Sequence, residues 1–242
     1  MGCRICGDDR TVRSHIIPKA LAFAVRRDAK HVIAASPHQP GVRRSQAGAF
    51  TDALLCKAHE NATAATDKYG IEFVRRVQAA WGNRASRQML SVQNPSPATL
   101  QSFALLTIWR EVHFEGRAGL SLGDYDGPVQ RHLFDGDPPP DWPVVVQRTN
   151  FTVQPVGPSD FNLHPYKLRF ADRAAWTFTV AGVCFLIVSD KRGLPPLFED
   201  WRADMHNPCP VSVAEPLPLS QAGALQGVFA SMGARRRRVP KW

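Results

Sequence analysis

Hydrophobic and polar positions follow two different periods along the chain, and the change comes after Trp142. Before it, apolar residues recur at three- and four-residue spacing, as in Phe73, Val74 and Val77, which share one face of a predicted helix. After it, β-forming residues alternate or cluster in segments 144–147, 167–170, 176–180 and 183–188. The pattern predicts the α+β class, with central helices and a small antiparallel β region in the C-terminal half.

Helix periodicity and helix-start signals locate the main elements of the first 140 residues. They predict helices over 19–29, 51–81, 100–114 and 127–134. The second of these carries Cys56 and His59 in its first turns. The third presents a core-facing stripe of Phe103, Leu106, Trp109 and Arg110. Segment 30–50, with its prolines and glycines, is predicted to be a long loop or weak hairpin.

Two closely spaced prolines and an arginine-rich C-terminal segment suggest that the chain has three regions. Pro95-Ser96-Pro97 marks a boundary between an N-terminal module, residues 1–94, and a helical then antiparallel β region, residues 95–233. The last nine residues, 234–242, contain four consecutive arginines and read as a basic disordered tail.

Composition and charge restrict the functional classes. With 242 residues and 44% hydrophobic content the chain can bury a substantial core, and it contains no apolar run long enough for a membrane span. Because charged residues begin at once, no signal peptide is expected, and the expectation is a cytoplasmic protein without a membrane partner. A net charge of +9 favours a polyanionic partner, with DNA the first expectation and RNA left open. The alternative is a basic protein that binds no nucleic acid specifically.

Cysteine and histidine spacing points to a metal site in the first sixty residues. Cys3 and Cys6 form a C-x-x-C pair, and Cys56 and His59 repeat the two-residue gap about fifty positions later. A C-x-x-C turn supplies two sulfurs from one bend, and zinc takes four such ligands in a tetrahedron. The sequence therefore predicts structural zinc, with a redox C-x-x-C pair, a core Cys56 and a solvated His59 as the alternative.

Three segments form a wider pattern: the Cys3–Cys6 pair, Ser14-His15-Ile-Ile-Pro18, and the segment from Leu54 through Cys56 and His59 to Glu60. In these segments the first 70 residues resemble the HNH endonuclease family, which has a ββα-metal fold of treble-clef type. The resemblance implies a general base at His15 acting on water, and one divalent ion, magnesium or manganese, on the scissile phosphate. Imidazole has the near-neutral pKa that this proton transfer requires.

Three motif positions differ from the family pattern. Ser14 stands where the family has a metal-binding acid, and Glu60 stands where it has His or Asn. The loop Asn lacks a clear counterpart, Thr51 or Asp52 being nearest. The predicted catalytic residues are therefore His15, Glu60 and Asp52, with Glu60 as an oxygen ligand of the divalent ion. The alternatives are a buried structural role for His15 and a solvated helix carboxylate at Glu60.

Basic residues cluster in sequence around these positions. The residues predicted to contact nucleic acid are Arg13, Lys19, Arg43 and Arg44. The leading hypothesis is a metal-dependent nuclease. A second is an inactive zinc-binding relative that binds nucleic acid or a protein, as factors of phages and mobile elements do. A third is a toxin or defence component controlled by a partner through the C-terminal half. A homodimer is a further hypothesis.

Overall fold

The computed structural model describes residues 2–25, 32–35, 42–45, 48–81, 89–114, 119–149 and 162–214. The strands are β1 (Thr11–His15), β2 (Val32–Ala35), β3 (Val42–Ser45), β4 (Phe50–Cys56), β5 (Leu90–Val92), β6 (Val144–Thr149), β7 (Asn162–Phe170), β8 (Arg173–Val180), β9 (Val183–Val188) and β10 (Cys209–Ala214). The helices are α1 (Lys19–Ala24), α2 (Lys57–Ala62), α3 (Ala64–Trp81), α4 (Pro97–Val112) and α5 (Asp126–Phe134), with short 3-10 turns at Gly123–Tyr125 and Pro196–Trp201.

The described strands form two sheets of unequal size. The small sheet pairs β1 with β4 in antiparallel fashion, with Thr11 opposite Cys56 and His15 opposite Phe50. The large sheet has eight strands in the order β3-β2-β7-β8-β9-β6-β10-β5. The predicted mixture of helices and sheet is confirmed.

The C-terminal sheet is larger and more mixed than predicted. Strands β7, β8, β9 and β6 are antiparallel neighbours, in keeping with their alternating patterns. Two parallel pairings extend this group, β2 with β7 and β6 with β10. Strands β2, β3 and β5 come from the N-terminal half of the chain, and sequence periodicity does not report such long-range pairings.

The predicted start of the second helix at Thr51 is wrong. Residues 50–56 form β4, in which Phe50 and Asp52 are exposed while Thr51 is buried. This alternation is the two-residue period of a strand. Cys56 is extended and caps α2, so the helix begins only at Lys57.

Helix α4 packs at the centre of the molecule. Every residue from Phe103 to Glu111 is buried, and the Phe103 ring contacts those of Phe178 and Phe185 on the large sheet. The main hydrophobic cluster joins residues of β4 to residues of β10. The predicted boundary at residue 94 stays a prediction, as does the tail 234–242, which lies outside the described residues.

A glycine allows α3 and α4 to approach closely. A Cβ added at Gly70 would overlap the ring of Phe103, which is fully buried. We expect Gly70→Ala to lower the free energy of unfolding by about 1–3 kcal/mol, because overpacking outweighs the gain in helix propensity. Thermal or urea unfolding measures the change.

Gly127 in α5 is the matched control. Its added Cβ would meet only the terminal nitrogen of Arg131, which can move. Gly127→Ala is therefore expected to be neutral or slightly stabilising. Equal stability of the two variants would contradict the close packing of α3 on α4.

The described helices were also compared with the requirements of a bilayer crossing. None of them combines the necessary length with sufficient apolar character.

Candidate metal centre and adjoining polar site

Four soft ligands meet where β1, β4 and α2 come together. The ligand atoms of Cys3, Cys6, Cys56 and His59 all lie within 4.8 Å of one another. The sulfur of Cys3 is 3.5 Å and that of Cys56 is 3.2 Å from His59 Nδ1, and the sulfurs of Cys6 and Cys56 are 3.9 Å apart. Zinc bonded at about 2.3 Å to sulfur and about 2.0 Å to nitrogen requires edges of about 3.5–3.8 Å. The predicted ligands are thus brought together in a cluster that can hold a metal ion.

The backbone builds the two halves of this cluster separately. Cys3 to Gly7 form a tight turn, closed by a 2.8 Å hydrogen bond from Gly7 N–H to the Cys3 carbonyl. Gly7 has φ 76°, a conformation that favours glycine. Cys56 ends β4 and His59 lies in the first turn of α2. The β1–β4 pairing then brings the turn onto the helix start.

Hydrogen bonding prepares Cys3 for metal binding. Burial raises the pKa of its thiol, but N–H groups of Cys6, Cys56 and Ile5 and the Cys6 side chain lower it, and the net pKa is about 6. A thiol with this pKa is largely ionised at neutral pH, and the thiolate is the form that binds metal. The donor set and its spacing therefore fit zinc.

His15 lies at the opposite end of β1 from the cysteine turn. The side chain is half-buried, and its Nε2 atom is buried without a hydrogen-bond partner among the described residues. Burial, followed by the charges of Lys19, Arg110 and Arg13, lowers the pKa of His15, while Asp52 opposes the shift. A lowered pKa favours the neutral imidazole at pH 7, which is the form that can accept a proton.

A side-chain hydrogen bond between Ser14 and Glu60 joins β1 to α2. Ser14 is fully buried, and its hydroxyl donates a 2.8 Å hydrogen bond to Oε2 of Glu60. The two motif positions that differ most from the HNH pattern thus contact each other. The side chain of Glu60 remains about one-quarter exposed, at 24%.

Arg110 supplies the positive charge of this polar site. Its side chain is 1% exposed, and Nη1 donates to both carboxylate oxygens of Asp67 at 2.9 and 3.0 Å. Nη2 donates to Thr63 Oγ1 at 2.8 Å and lies 3.6 Å from Glu60 Oε1. A single guanidinium therefore joins α4 to the end of α2 and the beginning of α3.

The carboxylate of Asp67, in α3, has Arg110 as its partner. Burial raises the pKa of Asp67, Arg110 lowers it, and the neighbouring charge of Glu60 raises it again. Two carboxylates thus share one buried guanidinium. Because the net shift of the Asp67 pKa is upward, this charge offsets only part of the cost of taking them out of water.

The same contacts do not form a divalent-cation site. Arg110 already provides the cation beside Glu60 and Asp67, and both oxygens of Glu60 have neighbours. Within the described ranges, the Cys/His cluster is the one group of three or more His, Cys, Asp or Glu side chains close enough to bind a metal. The geometry therefore fits the expected zinc and does not fit the expected magnesium or manganese.

The remaining predicted residues lie around His15 or outside the described side chains. Asp52 is exposed on β4, and its carboxylate lies 3.4 Å from Arg13 Nε. Arg13 and Lys19 are exposed at the end of β1 and the start of α1. Arg43 and Arg44 lie on β3, where the side chains fall outside the described part of the structure. The functional roles of all these residues stay predictions.

Arg110 is the residue that sequence reasoning missed at this site. Its place on the core-facing stripe of α4 was predicted, and its burial agrees with that pattern. An arginine on an apolar stripe was the available signal, because such a residue requires buried anionic partners.

Comparison with protein-family models, with curated proteins and with solved structures returns no match.

Proposed function

We propose that this chain is an HNH-like nuclease that hydrolyses phosphodiester bonds in nucleic acid, with zinc as its structural ion and His15 as general base. The observation that carries the proposal is the combination of β1, β4 and α2 with a Cys/His cluster at one end of β1 and the half-buried imidazole of His15 at the other. The order of these elements agrees with the ββα arrangement that the sequence resemblance implies.

The chemistry of His15 supports a proton-transfer role. In the proposed reaction, the imidazole of His15 removes a proton from a water molecule as the water oxygen attacks phosphorus, and the bond to the leaving oxygen breaks. That oxygen takes its proton from solvent. Arg13 and Lys19 are exposed cations close enough to influence the imidazole, and they bind the phosphate oxygens.

Glu60 has a positioning role in this proposal. Its hydrogen bond from Ser14 fixes the end of β1 against α2, directly before His15. The proposal therefore assigns the reaction to side chains of this chain. The divalent ion that the HNH family uses is tested by adding magnesium or manganese to the cleavage assay.

We expect the wild-type protein, with zinc bound, to cleave single-stranded or duplex substrates, and His15→Ala to lower the rate by at least about 100-fold. The physical reason is the loss of the general base, whose usual contribution is about 10²–10⁴. Gel analysis of labelled DNA and RNA, with and without added magnesium or manganese, measures both the activity and its metal requirement.

His206→Ala is the matched control, because His206 is an exposed histidine outside this site. It is expected to retain wild-type cleavage. Absence of cleavage by zinc-loaded wild type under every condition would reject the nuclease proposal. Equal rates for His15→Ala and wild type would remove His15 from the reaction.

A second candidate is a nucleic-acid-binding protein that has this scaffold and no hydrolytic activity. The observation in its favour is the engagement of Glu60 and Asp67 by Arg110, which leaves no divalent-ion site among the described side chains. Salt-dependent binding of DNA or RNA without cleavage would support this candidate.

A further inference from the structure

Aromatic and cationic side chains lie beside His15, and they extend through Lys19 to Phe23. We call this group the Phe50 surface, and its members are Arg13, His15, Lys19, Phe23 and Phe50. Phe50 and Phe23 are 36% and 39% exposed and are two of the few large hydrophobic side chains exposed in the described structure.

The contacts within this surface are specific. The guanidinium of Arg13 lies over the ring of Phe50 at 4.2 Å from its centroid, and the His15 ring is 5.7 Å from the same ring. Arg13 itself remains 59% exposed. Lys19 Nζ lies 5.3 Å from the centre of the Phe23 ring. Each ring is therefore paired with an exposed cation, of which Arg13 also faces the carboxylate of Asp52 at 3.4 Å.

Backbone hydrogen bonds hold the part of this surface on β1 next to Phe50 on β4. Ile16 N–H donates to the carbonyl of Ala49 at 3.2 Å, which joins the end of β1 to the residue before Phe50. His15 and Phe50 are also opposite each other in the β1–β4 register. The stacked group is thus held on two hydrogen-bonded strands.

We propose that the Phe50 surface binds an unpaired nucleotide, with the base stacked on Phe50 and Arg13 and the phosphate on Arg13 and Lys19. This inference rests on the proposed nucleic-acid function and specifies its substrate class as single-stranded. Aromatic rings and guanidinium planes stack on any exposed base, whereas the bases of a duplex are covered by their neighbours. The net charge of +9 complements the phosphate backbone.

The position of this surface has a consequence for the reaction. A base stacked on Phe50 places its own phosphate next to the imidazole that contacts the same ring. Stacking then orients the scissile phosphate toward His15. Productive binding would therefore require an unpaired base that can stack on Phe50.

Fluorescence anisotropy tests the inference directly. The probes are a labelled 12-nucleotide DNA strand, the RNA strand of the same sequence and the matching DNA duplex, each checked by gel for integrity after the measurement. Wild type is expected to bind the single strands more tightly than the duplex. Phe50→Leu is expected to weaken single-strand binding about 5- to 50-fold, with little effect on the duplex and an unchanged salt dependence.

Two further variants separate stacking from general effects. Phe50→Trp keeps an aromatic face and is expected to retain single-strand affinity. Leu197→Ala removes an apolar side chain that is 81% exposed elsewhere and is expected to change nothing. Melting temperatures establish that each variant is folded.

The outcomes distinguish this inference from the nuclease proposal. Duplex binding as tight as single-strand binding, or equal affinities for Phe50→Leu and wild type, would overturn the stacking site whether or not cleavage occurs. A Phe50-dependent preference for single strands without any cleavage would support stacking and reject hydrolysis. Weaker binding of Phe50→Leu to both single strands, or to only one of them, supports stacking. A difference between the DNA strand and the RNA strand would show that the sugar is also recognised.

Discussion

Arg110→Met is expected to lower the free energy of unfolding by about 2–4 kcal/mol. The substitution keeps a long apolar side chain in the interior but leaves Glu60 and Asp67 without the charge they share. Removing one partner of a buried pair usually costs about 3–5 kcal/mol, and partial exposure of the two carboxylates reduces this. For a chain of 242 residues, the melting temperature should fall by about 5–15 °C.

The carboxylates provide the control for this prediction. If uncompensated charge causes the loss, the triple variant Arg110→Met, Glu60→Gln, Asp67→Asn should recover part of the stability, because the neutral amides carry no charge into the interior. Arg110→Lys should fall between wild type and Arg110→Met, since an ammonium retains the charge but cannot contact all three partners. A triple variant less stable than Arg110→Met would contradict the explanation.

Removing the metal is expected to have the second large effect. Metal analysis of the purified protein should find about one zinc per chain, as expected for the one cluster found in the described residues. Cys3→Ser should lose the zinc and lower the melting temperature by at least about 10 °C, because metal ligation joins the cysteine turn to α2 in addition to the β1–β4 pairing. A strong chelator should have the same effect on the wild type.

Cys184→Ser is the control for the loss of a cysteine in general. Cys184 lies on β9 in the large sheet, outside the metal cluster. This variant should keep its zinc and most of its stability. A fully folded wild type that contains no metal would reject the structural role of the cluster.

Local sequence patterns predicted the cluster but not the strand that carries part of it. The spacing of Cys3, Cys6, Cys56 and His59 was sufficient because tight turns and helix starts present ligands at fixed intervals. The same pattern placed Cys56 inside a helix, since Ala53 and Leu54 are strong helix formers. Pairing with β1, which lies much earlier in the chain, decided the conformation.

Long-range contacts explain what remained unpredicted. The link between Arg110 and Asp67 joins positions separated by 43 residues, and no local signal specifies such a partner. Strand β9 was predicted because a buried run of β-branched and aromatic residues follows the Ala181-Gly182 turn. Its neighbour β6 pairs in parallel with β10, which alternation cannot reveal.

Strands β2 and β3, which lie between β1 and β4 in the sequence, join the N-terminal half of the chain to the large sheet. Strand β2 belongs to the large sheet and pairs in parallel with β7, so that Ala34 is opposite Asn162. A fragment ending near residue 94 would therefore expose an unpaired strand edge, a surface that invites self-association. Dissecting this protein into separately expressed pieces thus depends on supplying β7 together with the cysteine-rich module.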